Sequence, residues 1–131
     1  MSDRGDKKVS RVNKTEELEV FKRAHSLTLK LYKYTRNFPS VEKYSLVSQI
    51  RRAAASICAN LMEGSHRLNR KEFRQFVGIS KGSAGELKYH LLLAKDLEYL
   101  SKDEYSFLVQ EAEEISRMLN GLANSLTDTV H

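Results

Sequence analysis

The stretch SKDEYSFLVQEAEEISRMLNGLANSL, Ser101–Leu126, decides the fold. It opens with Ser101-x-x-Glu104, the capping box that closes the first turn of a helix. Tyr105, Leu108, Ala112, Ile115, Leu119, Leu122 and Leu126 then follow at alternating spacings of three and four. That is the period of one apolar helical face, unbroken over more than five turns. Its other side carries Glu111, Glu113 and Glu114. A long helix with one apolar seam and one acidic face belongs in a bundle, where the seam is buried against other helices.

Upstream, the same period recurs three times. Asn69, with Glu72 three residues on, marks another helix start. Phe73, Phe76, Ser80, Ala84, Leu87, Leu91 and Ala94 carry its seam. Gly78, Gly82 and Gly85 lie inside this helix, where each costs about 1 kcal/mol relative to Ala. Three glycines on one face predict a close approach of another helix. Before it, Leu46, Ile50, Ala53, Ile57 and Leu61 form a seam, and Val20, Ala24, Leu27, Leu31 and Tyr34 form the first one. Thr15 is the expected N-cap of the first helix, and Asn37-Phe38-Pro39-Ser40 its end. No alternating strand pattern is present. The prediction is an all-α, antiparallel, up-down four-helix bundle over residues 15–127, with helices at about 16–36, 42–65, 70–99 and 102–126. Residues 1–14 read as a flexible basic tail and 128–131 as a short C-terminal one.

Composition narrows the class. The 131 residues suit one domain. No apolar run reaches the 18 or more residues that span a bilayer, so no membrane partner is expected. The N-terminus lacks the apolar segment of a secretory signal, and the lone Cys58 has no partner for an internal disulfide. The cytoplasm is the expected compartment. The net charge of +5 is unevenly spread: residues 1–36 and 37–81 each carry an excess of five basic residues, and 82–131 an excess of five acidic ones. A basic body attracts polyanions, phosphate backbones above all.

Nothing in the chain assembles a catalytic or metal site, and neither enzyme activity nor a cofactor is expected. The histidines (25, 66, 90, 131) fall in separate segments without ligand spacing. His25 and His90 could face each other across helices 1 and 3, but a metal site there would need acidic companions that the sequence does not place. Di-iron bundles need two Glu-x-x-His motifs, and Glu63-Gly64-Ser65-His66 supplies one. Glu63 and Glu86 could be weighed as paired carboxylates, but Arg51 and Arg52 argue for ion pairs instead.

The second helix is unusual. From Ala53 to Met62 it is apolar nearly all round, with Ala55 and Met62 away from the main seam. A helix of that kind is buried nearly all round, so its outer side calls for a second copy of the chain. Gln49, Ser56 and Glu63 repeat every seven residues beside Arg52, and Asn60 stands among apolar neighbours. Such polar groups fix register and assembly, with Gly82, Ser83 and Glu86 on helix 3 as their expected partners. Lys22, Arg23, Lys30 and Lys33 line helix 1, Arg51 joins from helix 2, and Arg67, Arg70, Lys71 and Arg74 cluster around the helix 2–3 connection. These are the candidate nucleic-acid contacts, and a homo-oligomer would repeat them into a multivalent surface.

The run Ser48-Gln49-Ile50-Arg51-Arg52-Ala53-Ala54-Ala55-Ser56-Ile57-Cys58-Ala59-Asn60-Leu61-Met62-Glu63-Gly64 resembles the signature of the four-helix-bundle family encoded by intervening sequences in bacterial large-subunit (23S) ribosomal RNA genes. Phe38-Pro39, Glu42-x-Tyr44-x-Leu46, Phe73-x-x-Phe76, Gly82-Ser83, Glu86-Leu87 and Leu97-x-Tyr99-Leu100 agree with it, so the resemblance covers Leu18 to Leu126. One departure is Cys58, where the family often has Pro; helix 2 should therefore run without interruption. The resemblance implies an antiparallel bundle assembled into a homopentameric ring, with no known enzymatic activity. The same superfamily includes the accessory variability protein of diversity-generating retroelements, a basic pentamer that binds nucleic acid and its reverse transcriptase. Two functions are therefore expected: an RNA-binding, non-catalytic homo-oligomer, or an adaptor for a retroelement reverse transcriptase. Members nearest the accessory protein usually lack Gln-Ile-Arg-Arg-Ala-Ala, which places this chain closer to the ribosomal branch.

Overall fold

The computed structural model of the chain describes residues 15, 16 and 18–127. The two expected tails lie outside these. Four helices, α1 (Glu19–Thr35), α2 (Leu46–Ser65), α3 (Arg70–Asp96) and α4 (Lys102–Ser125), pack each against its chain neighbours, and α4 closes the ring on α1. There is no strand among the described residues. The up-down order follows from the short connections, which leave consecutive helices no choice but to run antiparallel.

The core is the set of seams read from the sequence. Ile50, Ala53, Ile57 and Leu61 of α2, Leu87 and Leu91 of α3, and Leu108, Ile115 and Leu119 of α4 are fully buried, with Leu27 and Leu31 of α1 beside them. Burying a side chain of this size contributes roughly 1.5–3 kcal/mol, which makes the seams the main source of stability. Ser80 is buried among them, and its hydroxyl donates to the Ile57 carbonyl at 2.8 Å, so a polar atom enters the α2–α3 seam without being orphaned.

Three helix ends differ from expectation, each for a reason in the packing. Thr15 does not cap α1: Leu18 occupies that position, and the buried Thr15 donates its hydroxyl to Ser65 at the end of α2. The second helix starts at Leu46 rather than 42, because Ser40–Glu42 form a 3-10 turn. Glu42 then stands outside α2, accepting from Ser45 Oγ at 2.6 Å and from the Leu46 amide at 3.4 Å. It also accepts from the Tyr99 hydroxyl at 2.8 Å, a tie between the α1–α2 and α3–α4 connections. The third helix stops at Asp96 because Glu98 takes a left-handed conformation, φ 69°. The Glu98 amide then bonds Lys95 O and the Tyr99 amide bonds Ala94 O, both at 2.9 Å, the Schellman closure usually given to glycine. Both N-caps stand where read: Asn69 Oδ1 accepts from the Glu72 amide, and Ser101 and Glu104 bond reciprocally as a capping box. Helix α2 runs unbroken through Cys58.

Candidate nucleic-acid interface

The basic residues singled out above divide by what holds them. Lys22 pairs with Glu19 at 3.6 Å, Arg23 bridges from α1 to Glu111 of α4 at 3.2 Å, and Arg67 sits between Glu72 at 3.3 Å and Glu63 at 3.8 Å. Carboxylates offset these three charges. The other six have no carboxylate partner among the described residues. Arg70 donates to Ser125 O at 2.6 Å and Arg74 to Ala123 O at 3.1 Å, so both guanidinium groups cap the last turn of α4. A cation there also complements the helix dipole. Arg51 donates from Nε to Thr35 Oγ1 at 3.0 Å and from Nη2 to Tyr32 O at 3.2 Å, and stacks 4.4 Å from the Tyr32 ring centroid. Lys30 lies 4.9 Å over the Phe107 ring, and Lys33 and Lys71 are exposed.

These six form two groups rather than one stripe. Arg70, Lys71 and Arg74 stand at the end where α2 passes to α3. Lys30, Lys33 and Arg51 stand toward the opposite end, where α1 passes to α2. Arg36 and Lys43 flank that second connection and line one cavity with Arg51; sequence reasoning did not single them out. The signal available was two basic residues on either side of Phe38-Pro39-Ser40.

The signature residues meet along the exposed seam between α2 and α3. Ser56 shares a hydrogen bond with Ser83, and Arg52 joins the Glu86 carboxylate while also donating to Gln49 Oε1 at 2.7 Å. His90 Nε2 reaches the same Glu86 at 3.1 Å. The His90 bond first, and Arg52 after it, hold the Glu86 carboxyl below its ordinary range. The seam differs from simple mutual pairing of these residues in four respects. Asn60 is only half-buried and donates to Ser56 O on its own helix at 2.8 Å. Glu63 points to Arg67 rather than to α3, and Glu86 is half-exposed rather than buried. Gly82 has open space where a side chain would stand, rather than a partner on α2.

The three mid-helix glycines do not serve packing within the chain. Gly78, Gly82 and Gly85 are exposed, with open space where a Cβ would stand. Ile79 and Tyr89 lie near them, 51% and 58% exposed, and Ala55 and Ala59 of α2 are exposed across the seam. Small exposed residues thus stand on both α2 and α3, beside the polar seam of Arg52, Ser56, Ser83 and Glu86. His25 and His90 do not meet, since α1 packs on α2 and α4 and not on α3. Among the described residues no group of three or more His, Cys, Asp and Glu side chains converges as a metal cluster, and no helix is long and apolar enough to cross a membrane.

Comparison with known proteins accords with this architecture. The crystal structure of a protein of unknown function from the S23 ribosomal protein family of Bacteroides thetaiotaomicron VPI-5482 superposes with a TM-score of 0.74. It is 23% identical, and the match covers 80% of this chain and 95% of that one, a likeness of fold. No curated protein matches the chain. The family model described as 23S rRNA-intervening sequence protein matches residues 16–121, a span that takes in the signature, the α2–α3 seam and most of α4, and the chain therefore belongs to that family.

Proposed function

We propose that the chain is a non-catalytic, cytoplasmic, homo-oligomeric bundle that binds RNA through repeated basic patches. The observation that carries this reading is that Lys30, Lys33, Arg51, Arg70, Lys71 and Arg74 have no carboxylate partner among the described residues. Three of these are arginines fixed by neutral oxygens, so their geometry is set while their charge remains available to a phosphate. Two small, separated patches bind a polyanion weakly when alone. Repetition around a ring, five-fold in the form the family resemblance suggests, turns them into a multivalent surface. The exposed α2–α3 face of Ala55, Ala59, Gly78, Gly82 and Gly85 is where copies would meet, because the absence of side chains lets backbones approach closely.

The test is fluorescence anisotropy with a structured RNA over a range of salt concentrations. Binding should weaken linearly in log–log form as salt rises. Lys33→Gln and Lys71→Gln should each lower affinity and flatten that slope. These lysines are better probes than Arg70 and Arg74, whose loss would also uncap α4. Undetectable binding at low salt would remove the proposal. The exposed Ile79 and Tyr89 favour a second reading, an adaptor whose apolar face receives another protein such as a retroelement reverse transcriptase. A reverse-transcriptase gene beside this one, and co-purification that survives Lys33→Gln and Lys71→Gln, would favour it.

A further inference from the structure

The connection between α1 and α2 forms a half-open cavity of about 270 Å³. At roughly 30 Å³ per water it has room for a tetrahedral oxyanion and part of its hydration. Arg36, Lys43 and Arg51 all line it, and no carboxylate does. The nearest acid in sequence, Glu42, is engaged elsewhere, by Ser45 and by the Tyr99 hydroxyl. Three cations around one cavity repel one another, and the arrangement lacks the compensating acid that Arg23, Arg52 and Arg67 all have. Arg51 cannot swing away to relieve this. Thr35 Oγ1, Tyr32 O and the Tyr32 ring hold its guanidinium in place, and Thr35 Oγ1 is itself fixed by donating to Leu31 O at 2.7 Å. Those two bonds use Nε and one proton of Nη2, which leaves the second Nη2 proton and both Nη1 protons for a ligand. The floor is apolar and rigid: Phe38 and Val47 are buried.

We infer that this cavity is a receptor for a phosphoryl group, with Arg51 as its fixed donor and Arg36 and Lys43 closing on the anion from either side. A guanidinium held by neutral acceptors recognises phosphate oxygens in a planar, paired geometry, and two exposed cations complete the charge balance of a phosphate dianion. The phosphoryl group has two possible sources, a free small anion or the end or backbone of a nucleic acid. Only the second rests on the function proposed above.

The experiment is a titration of the full chain followed by ¹⁵N-resolved NMR, with inorganic phosphate as probe and sodium chloride at matched ionic strength as control. A second series uses a short oligoribonucleotide bearing either a 5′-phosphate or a 5′-hydroxyl. Saturable shifts are expected at the amides of Thr35, Ser40 and Lys43 and at Arg51 Nε–H. The Arg36→Gln/Lys43→Gln double variant removes two exposed side chains and should keep the thermal midpoint while phosphate affinity falls about tenfold or more. Shifts that match those of chloride, or an affinity unchanged in the double variant, would overturn the site. A stronger response to the 5′-phosphorylated strand supports a terminal phosphate as ligand, equal responses support the backbone, and saturation by inorganic phosphate alone supports the small anion. Phosphate binding without RNA binding leaves the cavity standing and removes the RNA-binding function. RNA binding undiminished in the double variant, with no phosphate saturation, does the reverse.

Discussion

Gly64 of α2 faces Phe76 of α3 so closely that a methyl group at Gly64 would lie 2.6 Å from the Phe76 Cβ. The same methyl would stand 2.9 Å from Phe73 Cδ1. The Phe73 ring edge can rotate aside, but a Cβ is fixed to its backbone, so the two helices must part. Gly64→Ala gains up to about 1 kcal/mol of helix propensity and loses roughly 1–3 kcal/mol to overpacking. The expected result is a net loss of about 1–2 kcal/mol in urea unfolding with an unchanged m-value. A variant as stable as the parent would show that the α2–α3 crossing is looser than described.

Gly82 and Gly85 should respond in the opposite sense. Nothing lies within 4 Å of a Cβ at either position, and both sit in mid-helix. Alanine at both should stabilise the isolated chain by about 1–2 kcal/mol, since glycine is costly in a helix interior and no contact is disturbed. If copies meet on this face, the added methyl groups hold their backbones apart. Light scattering should then show a smaller mass for the Gly82→Ala/Gly85→Ala variant than for the parent, together with a higher melting temperature at low concentration. An unchanged oligomeric mass would move the subunit contact off this face.

The contrast between these glycines shows what a sequence discloses. Period and caps are local, so the seams, the N-caps at Asn69 and Ser101 and the four-helix order are readable from residues such as Leu108, Ile115 and Asn69. Glycine content is also local, and it drew attention to Gly78, Gly82 and Gly85. The glycine that packing requires is Gly64, and that depends on where α3 crosses α2. The start of α2 was misplaced for a similar reason, because the bond between Glu42 and Tyr99 joins residues far apart in the chain. At the basic patches, charge was legible and partnership was not. Arg70 and Arg74 share a helix face in sequence, but only the fold brings the last carbonyls of α4 to them. Arg36 and Lys43 became interesting only when the α1–α2 connection placed them around the cavity with Arg51.

The Glu86 cluster gives stability a defined pH dependence. His90 and then Arg52 favour the ionised carboxylate, so its folded pKa lies below the unfolded value of about 4.3. A depressed carboxylate contributes stability that is fully present above the unfolded pKa and is lost as pH falls through the folded one. Urea midpoints of the parent and of Glu86→Gln should therefore differ at pH 6 and converge as the pH is lowered from about 4.5 toward 3. High salt should shrink the difference, since both partners are partly exposed. A difference constant across this range would mean that the ionised form of Glu86 contributes nothing.

Cys58 offers a chemical reading of the same bundle. Burial raises its thiol pKa to about 11, with Sγ 3.7 Å from the Phe21 carbonyl in the α1–α2 interface. The species that reacts with an alkylating or disulfide reagent is the thiolate. A thiol two pH units above its ordinary value of 9.0 has about one-hundredth the thiolate at pH 8. Native Cys58 should thus react with Ellman's reagent at least about a hundredfold more slowly than the same chain in urea, and access through a packed interface should slow it further. Cys58 is half-buried on the α1 side of α2, so Gly64→Ala, which loosens α2 against α3, should speed the reaction only as far as it lowers global stability. A native rate close to that of the unfolded chain would place Cys58 at the surface and contradict the packing of α1 on α2.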